Sequence, residues 1–274
     1  MEPKFCYYTP PFPRTRSYRA MIDAACEHGL NAVEGFCSFE FATPDKDVAR
    51  EIKKYADERG VVFPCFSLYI DMVGEDAEEK MKYLKGYAEV AAILDCPYLH
   101  HTVIPEHADP ARVLARKDEL FEKGVKVVQE IYDYAAPLGV RPVYEDQGYI
   151  FNGVGGMTAM IDAVGRDIGV VADFGNIMQA DELITDIIPA FADRIVHAHL
   201  KDVVNNDIPE GGLKTLGGKY MHNTPVGQGG VPFAEAFAQL KKIGYDGYFG
   251  LEFSAKTDDS TAMHDAMRYF SERM

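Results

Sequence analysis

The stretch Ile168-Gly-Val-Val-Ala-Asp173 is apolar from end to end and closes on a single acid. A half-exposed strand would alternate polar and apolar residues, so an unbroken apolar run reads as a strand covered on both faces, as in a parallel sheet. Similar runs lie on either side of it. Upstream are Lys4–Tyr8, Ala32–Gly35, Val61–Ser67, Pro97–Thr102 and Arg141–Asp146; downstream are Ile195–Leu200 and Gly247–Phe253. Helical periodicity fills the intervals, over Ser17–His28, Asp45–Arg59, Glu75–Leu94, Ala111–Ala136, Gly156–Val164, Asp181–Phe191, Pro232–Ile243 and Asp259–Glu272.

The punctuation agrees with that division. Met81, Leu84, Tyr87, Ala88, Ala91 and Leu94 recur at spacings of three and four, an apolar stripe that packs on a sheet. Gly29, Gly60, Gly139 and Gly244 each follow a helical run, where a left-handed terminal residue is wanted. Pro232 sits at a first helical position, where a missing N–H costs nothing. Eight such units in 274 residues predict a single (β/α)8 TIM barrel over residues 1–274, with no composition break to mark a second domain. The competing architecture, a doubly wound open sheet, wants a glycine-rich phosphate loop after its first strand, and Thr9-Pro-Pro-Phe-Pro-Arg-Thr-Arg16 stands there instead. The segment Asp202–Gly230, rich in Gly, Asn and Pro, reads as one long irregular loop.

Composition narrows the partners. The chain is 47% hydrophobic, ample for a buried core, and carries 28 basic against 43 acidic residues, a net charge of −15. That balance opposes nucleic acid and anionic membranes, which reward clustered Lys and Arg. The N-terminal residues lack a basic stretch followed by an apolar run, so no signal peptide is expected. No window approaches a membrane span. Cys6, Cys26, Cys37, Cys65 and Cys96 are scattered, without a Cys-x-x-Cys pair, which suits structural thiols in a reducing cytoplasm.

In a parallel barrel the chemistry gathers where the strands end. Those ends read Glu34, Ser67, His100 with His101, Glu145 with Asp146, Asp173, His199 with Lys201, and Glu252. Any one acid, Asp173 for example, is as well explained as a cap on the following helix. Three acids and an imidazole at one rim are another matter, because buried carboxylates repel one another unless a cation joins them. Three carboxylates with one imidazole, and no cysteine, suit Mn2+, Mg2+, Co2+ or Fe2+.

Val143-Tyr-Glu-Asp146, Ala172-Asp-Phe-Gly-Asn176, Val196-His-Ala-His-Leu-Lys-Asp202 and Gly250-Leu-Glu-Phe253 resemble the four metal-bearing strands of the sugar phosphate isomerase/epimerase family. These are xylose isomerase-like TIM barrels, and they include ketose 3-epimerases, hydroxypyruvate isomerases and inosose dehydratases. Pro225-Val-Gly-Gln-Gly-Gly-Val231 and Ile243-Gly-Tyr-Asp-Gly-Tyr248 are similar to the stretch before their last strand. The resemblance implies that Glu145, Asp173, His199 and Glu252 hold one divalent ion, Mn2+ before Mg2+, Co2+ or Fe2+. It also implies that Glu145 and Glu252 exchange a proton beside the carbonyl of a small ketose, inosose or related keto-polyol. The ion would polarise the carbonyl and stabilise an enediolate; a carboxylate in reach would act as general base. A cytoplasmic dimer or tetramer is implied as well.

Two positions depart from the epimerase pattern. Asn176 stands where those enzymes carry a histidine, and Lys201 stands near where they carry an arginine, in a His-x-Lys-Asp motif closer to the inosose dehydratases. Both are expected to touch substrate. Glu34 and Gln147 are expected to bind hydroxyls. Of His100 and His101 one must face the mouth, since neighbours on a strand alternate, and His101 is the one assigned to substrate. Phe12, Phe36 and Phe151 are candidate pocket walls, and His222 is read as a loop histidine.

Three other readings stand against the isomerase. A dehydratase or lyase would share the enediolate and end in β-elimination. An endonuclease IV-like DNA repair enzyme shares the barrel, but it needs further histidines for a trinuclear zinc site, and both Asn176 and the charge of −15 oppose it. A catalytically idle sugar-binding or partner-binding barrel is opposed by the complete set of metal ligands.

Overall fold

The computed structural model describes residues 3–8, 17–104, 110–252 and 260–274. The helix starts illustrate why the elements begin where they do. Helix α1 (Tyr18–Glu27) is capped by the Ser17 hydroxyl, which accepts from Ala20 N–H at 3.1 Å. Helix α2 (Lys46–Asp57) is capped by Asp45, whose carboxylate accepts from Asp47 and Val48 N–H at 2.9 and 3.1 Å. Each side chain takes up amide hydrogens that the first turn leaves without a partner.

Barrel strands β1 (Lys4–Cys6), β2 (Gly35–Phe36), β3 (Phe66–Leu68), β4 (Tyr98–His101), β5 (Arg141–Glu145), β6 (Gly169–Asp173) and β7 (Ile195–Leu200) follow in chain order. The eighth barrel strand is β11 (Tyr248–Leu251), because β8 (Asp202–Asn206), β9 (Leu213–Lys214) and β10 (Tyr220–Thr224) intervene. The eight pair in parallel in the order β1-β11-β7-β6-β5-β4-β3-β2. A parallel bridge from Tyr7 to Val33 joins the two ends, so the sheet closes into a (β/α)8 barrel.

Helices α3 (Ala77–Ile93), α4 (Pro110–Ala115), α5 (Lys117–Ala135), α6 (Gly153–Val164), α7 (Ile184–Ala190), α8 (Phe233–Lys242) and α9 (Ser260–Ser271) complete the outer layer. The main apolar core fills the space between them and the strands. Inside the barrel, Cys65, Val143 and Val171 form a separate small apolar cluster. Strand side chains alternate inward and outward, so the residues two steps past Val143 and Val171, namely Glu145 and Asp173, also point inward. His199, paired with Asp173, shares that interior layer.

Three sequence expectations change. The run Ala111–Ala136 breaks at Arg116 into α4 and α5. Pro232 precedes α8 as its cap instead of opening it. Asp202–Gly230 is not irregular: β8, β10 and β9 form an antiparallel three-stranded sheet, and His222 lies on β10 with Nε2 bonded to the Ile208 carbonyl at 2.8 Å. The strands of this sheet are largely polar and half-exposed, and lack the covered, apolar character by which the barrel strands were recognised. Among the described residues no helix is long and apolar enough to cross a membrane, and all five cysteines are free.

Removing the α2 cap tests the local account of the fold. Asp45→Ala is expected to cost about 1 kcal/mol in denaturant unfolding; an unchanged midpoint would mean that the cap contributes nothing.

Candidate metal centre and active-site cavity

The ends of β5, β6 and β7 and the residue after β11 bring Glu145, Asp173, His199 and Glu252 together. His199 Nδ1 lies 3.4 Å from Glu145 Oε2, 3.5 Å from Glu252 Oε2 and 3.7 Å from Asp173 Oδ2. His199 and Asp173 are fully buried, and Glu252 is the most open of the four, with its side chain 30% exposed. His199 Nδ1 and Asp173 Oδ2 have no hydrogen-bond partner among the described residues.

Asp173 shows how one acid can serve two purposes. Its Oδ1 accepts from Gly175 and Asn176 N–H, both at 2.7 Å, and so caps the short 3-10 turn Asn176–Ala180. Its Oδ2 remains for the centre. The cap reading and the ligand reading therefore describe different oxygens of one carboxylate.

The electrostatics point to a missing positive charge. Burial, then the charge of Asp173, pushes the Glu145 pKa up. Burial also raises Asp173, against the pull of Lys201. Asp146 is driven well above the carboxylate range by burial and by Asp173 and Glu145; it is fully buried and accepts Asp173 N–H at 2.9 Å. For His199, burial opposes the imidazolium, but Glu34 and Glu145 outweigh it and hold its pKa well above the usual value. Crowded buried carboxylates take up protons unless a cation joins them. Two orphaned buried atoms, with two further carboxylate oxygens beside them, make a donor set that fits one hard divalent ion. The ligand atoms of Glu145, Asp173 and His199 lie within 4.8 Å of one another.

Lys201 supplies a fixed cation beside this set. Its ammonium donates to Glu252 Oε1 at 2.8 Å and approaches Asp173 Oδ2 at 3.3 Å. Burial works against its charge, yet Asp173 and Glu252 raise its pKa. The lysine reaches the site because residue 175 is glycine; a Cβ there would stand 2.6 Å from Lys201 Cγ.

A cavity of about 280 Å³ opens over the carboxylates. His100, Glu145, Gln147, Asn176, Lys201 and Glu252 line it, together with Tyr8, Phe36, Leu68, Leu213 and Met221. Asn176 donates to Glu145 Oε1, and Asn152 donates to the Asn176 carbonyl at 3.1 Å.

Two expected substrate contacts lie elsewhere. His101 points out of the barrel: its Nδ1–H donates to the Thr102 carbonyl and its Nε2 accepts from the Tyr144 hydroxyl, each at 2.8 Å. Burial pushes its pKa down to about 4, so it stays neutral. His100 has the inward parity and faces Glu145 Oε2 at 3.3 Å. Glu34 is fully buried beneath His199, where its oxygens meet His197 and His199, and it does not line the cavity. Phe36 lines the cavity, Phe151 does not, and Phe12 lies outside the described residues.

The sequence reading missed Tyr8 and His197. Tyr8 stacks on His199 with ring centroids 4.9 Å apart and planes 13° from parallel. His197 stands two residues before His199 on β7, and that parity was the available signal.

The xylose isomerase-like TIM barrel family matches residues 22–273. The chain belongs to that family. Solved structures agree on the fold. The chain is similar to a D-psicose 3-epimerase from Clostridium cellulolyticum H10, at 16% identity and a TM-score of 0.78 over 98% of each chain. It is similar to the probable 3-DHS dehydratase AsbF of Bacillus anthracis, at 15% identity and a TM-score of 0.77, over 99% of this chain and 100% of that one. It is also similar to a xylose isomerase-like TIM barrel protein from Mycobacterium smegmatis in complex with magnesium, at 14% identity and a TM-score of 0.71, over 99% of this chain and 98% of that one. No curated protein matches the chain by sequence.

A protonated His199 gives the centre a testable pH dependence. Metal uptake must release the Nδ1 proton, so Mn2+ affinity is expected to rise at least about tenfold per pH unit below the metal-free pKa of His199 and then level off. Mn2+ titrations across the acid and neutral range check this, and an affinity flat with pH would contradict it.

Proposed function

We propose that the protein is a divalent-metal-dependent isomerase or epimerase of a small ketose, inosose or related keto-polyol. The observation that carries this reading is the pair Glu145 and Glu252, held at one cavity 3.4 and 3.5 Å from His199 Nδ1. An ion bound by Glu145, Asp173, His199 and Glu252 would polarise a substrate carbonyl and offset the negative charge that develops as its neighbouring carbon loses a proton. Mn2+ is the ion we favour.

The chain's own residues do the rest. Glu252 is the more open carboxylate, and its Oε1 is tied to Lys201. It takes the proton from one face of the substrate. Glu145, buried and held by Asn176, returns a proton from its own side. Gln147 and Asn176 bind hydroxyls, and Tyr8 and Phe36 offer apolar faces to the carbon skeleton. The net charge of −15 and the small cavity both speak for a small-molecule ketone over nucleic acid or a membrane surface. By resemblance the working unit is a cytoplasmic dimer or tetramer.

A dehydratase is the second reading, favoured by Lys201. Its ammonium sits beside Glu252, where it would stabilise a hydroxyl leaving from the carbon next to the one deprotonated. D2O separates the two reactions. The isomerase reading expects a Mn2+-loaded screen of ketoses and inososes to show deuterium incorporated with the molecular formula kept; loss of water would assign the dehydratase. Glu145→Gln and Glu252→Gln are each expected to lower turnover by at least about a hundredfold, in line with general acid–base groups. Full exchange in either variant would refute its assigned role.

A further inference from the structure

Beneath the candidate centre, one carboxylate organises three imidazoles. Glu34 is fully buried immediately before β2. Its Oε2 meets His197 Nε2 at 2.8 Å, and its Oε1 meets both His199 Nε2 at 3.0 Å and the Ser67 hydroxyl at 2.6 Å. Ser67 Oγ in turn lies 3.1 Å from His100 Nδ1. A glycine makes the cluster fit: a Cβ at Gly250 would stand 2.8 Å from Glu34 Oε2 and 2.9 Å from His199 Cδ2.

We infer that Glu34 is a positioning residue that fixes the tautomers of His197, His199 and His100, and so aims one imidazole lone pair at the metal and another at substrate. Donors and acceptors alone place the hydrogens. An ionised carboxylate has no hydrogen to give, so each of its partners must donate. Three groups able to donate converge on its two oxygens at 2.6, 2.8 and 3.0 Å, the pattern of a carboxylate that only accepts. His199 therefore carries its hydrogen on Nε2 when metal is bound, which leaves the Nδ1 lone pair facing Glu145, Asp173 and Glu252. His197 likewise donates from Nε2.

The effect passes one residue further. Ser67 has a single hydroxyl hydrogen and gives it to Glu34, so in the contact with His100 the serine oxygen accepts and His100 Nδ1–H donates. With its hydrogen on Nδ1, a neutral imidazole keeps its lone pair on Nε2. Its Nε2 lone pair then faces Glu145 Oε2 at 3.3 Å. Two acceptors at that distance call for a hydrogen from a third group, and both line the cavity. His100 thus becomes an acceptor for a substrate hydroxyl beside Glu145, a role the sequence reading assigned to its neighbour His101.

Glu34, His197 and His199 also meet the distance requirement for metal ligands, so a second ion there is the rival account. The hub predicts one ion per chain and the rival predicts two. The inference rests on the metal reading of the site and on no particular substrate.

Long-range 1H–15N NMR of the Mg2+-loaded protein reads the tautomers directly. The expected pattern is Nε2–H at His197 and His199 and Nδ1–H at His100. Glu34→Gln, which replaces one acceptor oxygen by a donor amide, is expected to weaken Mn2+ binding by about 10–100-fold, read by the EPR signal of free Mn2+. Ser67→Ala should change the His100 tautomer and leave Mn2+ affinity unchanged, which separates the two branches. A His199 that keeps its hydrogen on Nδ1 with metal bound, two ions per chain, or a Glu34→Gln variant that binds Mn2+ as tightly as the parent would overturn the inference. If that variant fails to fold, the tautomers and ion count of the parent decide. None of these readouts uses a sugar, so failure to find a ketose substrate would leave them intact.

Discussion

Mutual repulsion among buried carboxylates governs this molecule. Glu145, Asp146 and Asp173 are all buried at the ends of β5 and β6, and Glu252 approaches them from β11. Such groups are destabilising inside a protein unless they are paired, protonated or bound to a cation. Lys201 supplies one positive charge, and His199 supplies another when it is protonated. A divalent ion would replace the proton on His199 and join the carboxylates at once. The centre is then a consequence of where the strands place their acids.

The barrel makes that placement possible through parity. Val143 and Val171 fill the interior one layer below Glu145 and Asp173, while Tyr144 and Ala172 face the helices. His197 and His199 repeat the same two-residue step on β7. Glu34 ties these layers together from beneath, and glycines 175 and 250 leave room for Lys201 and for the Glu34–His199 contact. The apolar layer sets the height of the site, and the polar layer above it sets the chemistry.

That parity also explains how much was legible in the sequence. Apolar runs closing on lone acids identified the barrel and brought Glu145, Asp173, His199 and Glu252 to one rim, because a covered strand leaves a plain signature. His100 and His101 could not be separated without knowing which parity β4 adopts, and the register with Ser67 decides it. Glu34 reads as a hydroxyl binder from its place at a strand end, yet it sits one layer lower, under His199, where only three-dimensional packing reveals it. Tyr8 gives no signal of its own, since an aromatic residue ending a strand is equally at home in the core. The β8–β10 sheet escaped because its strands are largely polar and half-exposed.

The central claim is that four strand ends build a single divalent-cation centre on His199 Nδ1. Anomalous scattering from crystals soaked in Mn2+ tests it most directly. The account predicts one strong peak per chain, at bonding distance from His199 Nδ1, Glu145 Oε2, Asp173 Oδ2 and Glu252 Oε2. A peak on the Glu34 side of His199, or a fully soaked crystal with no peak among the four ligands, would contradict it.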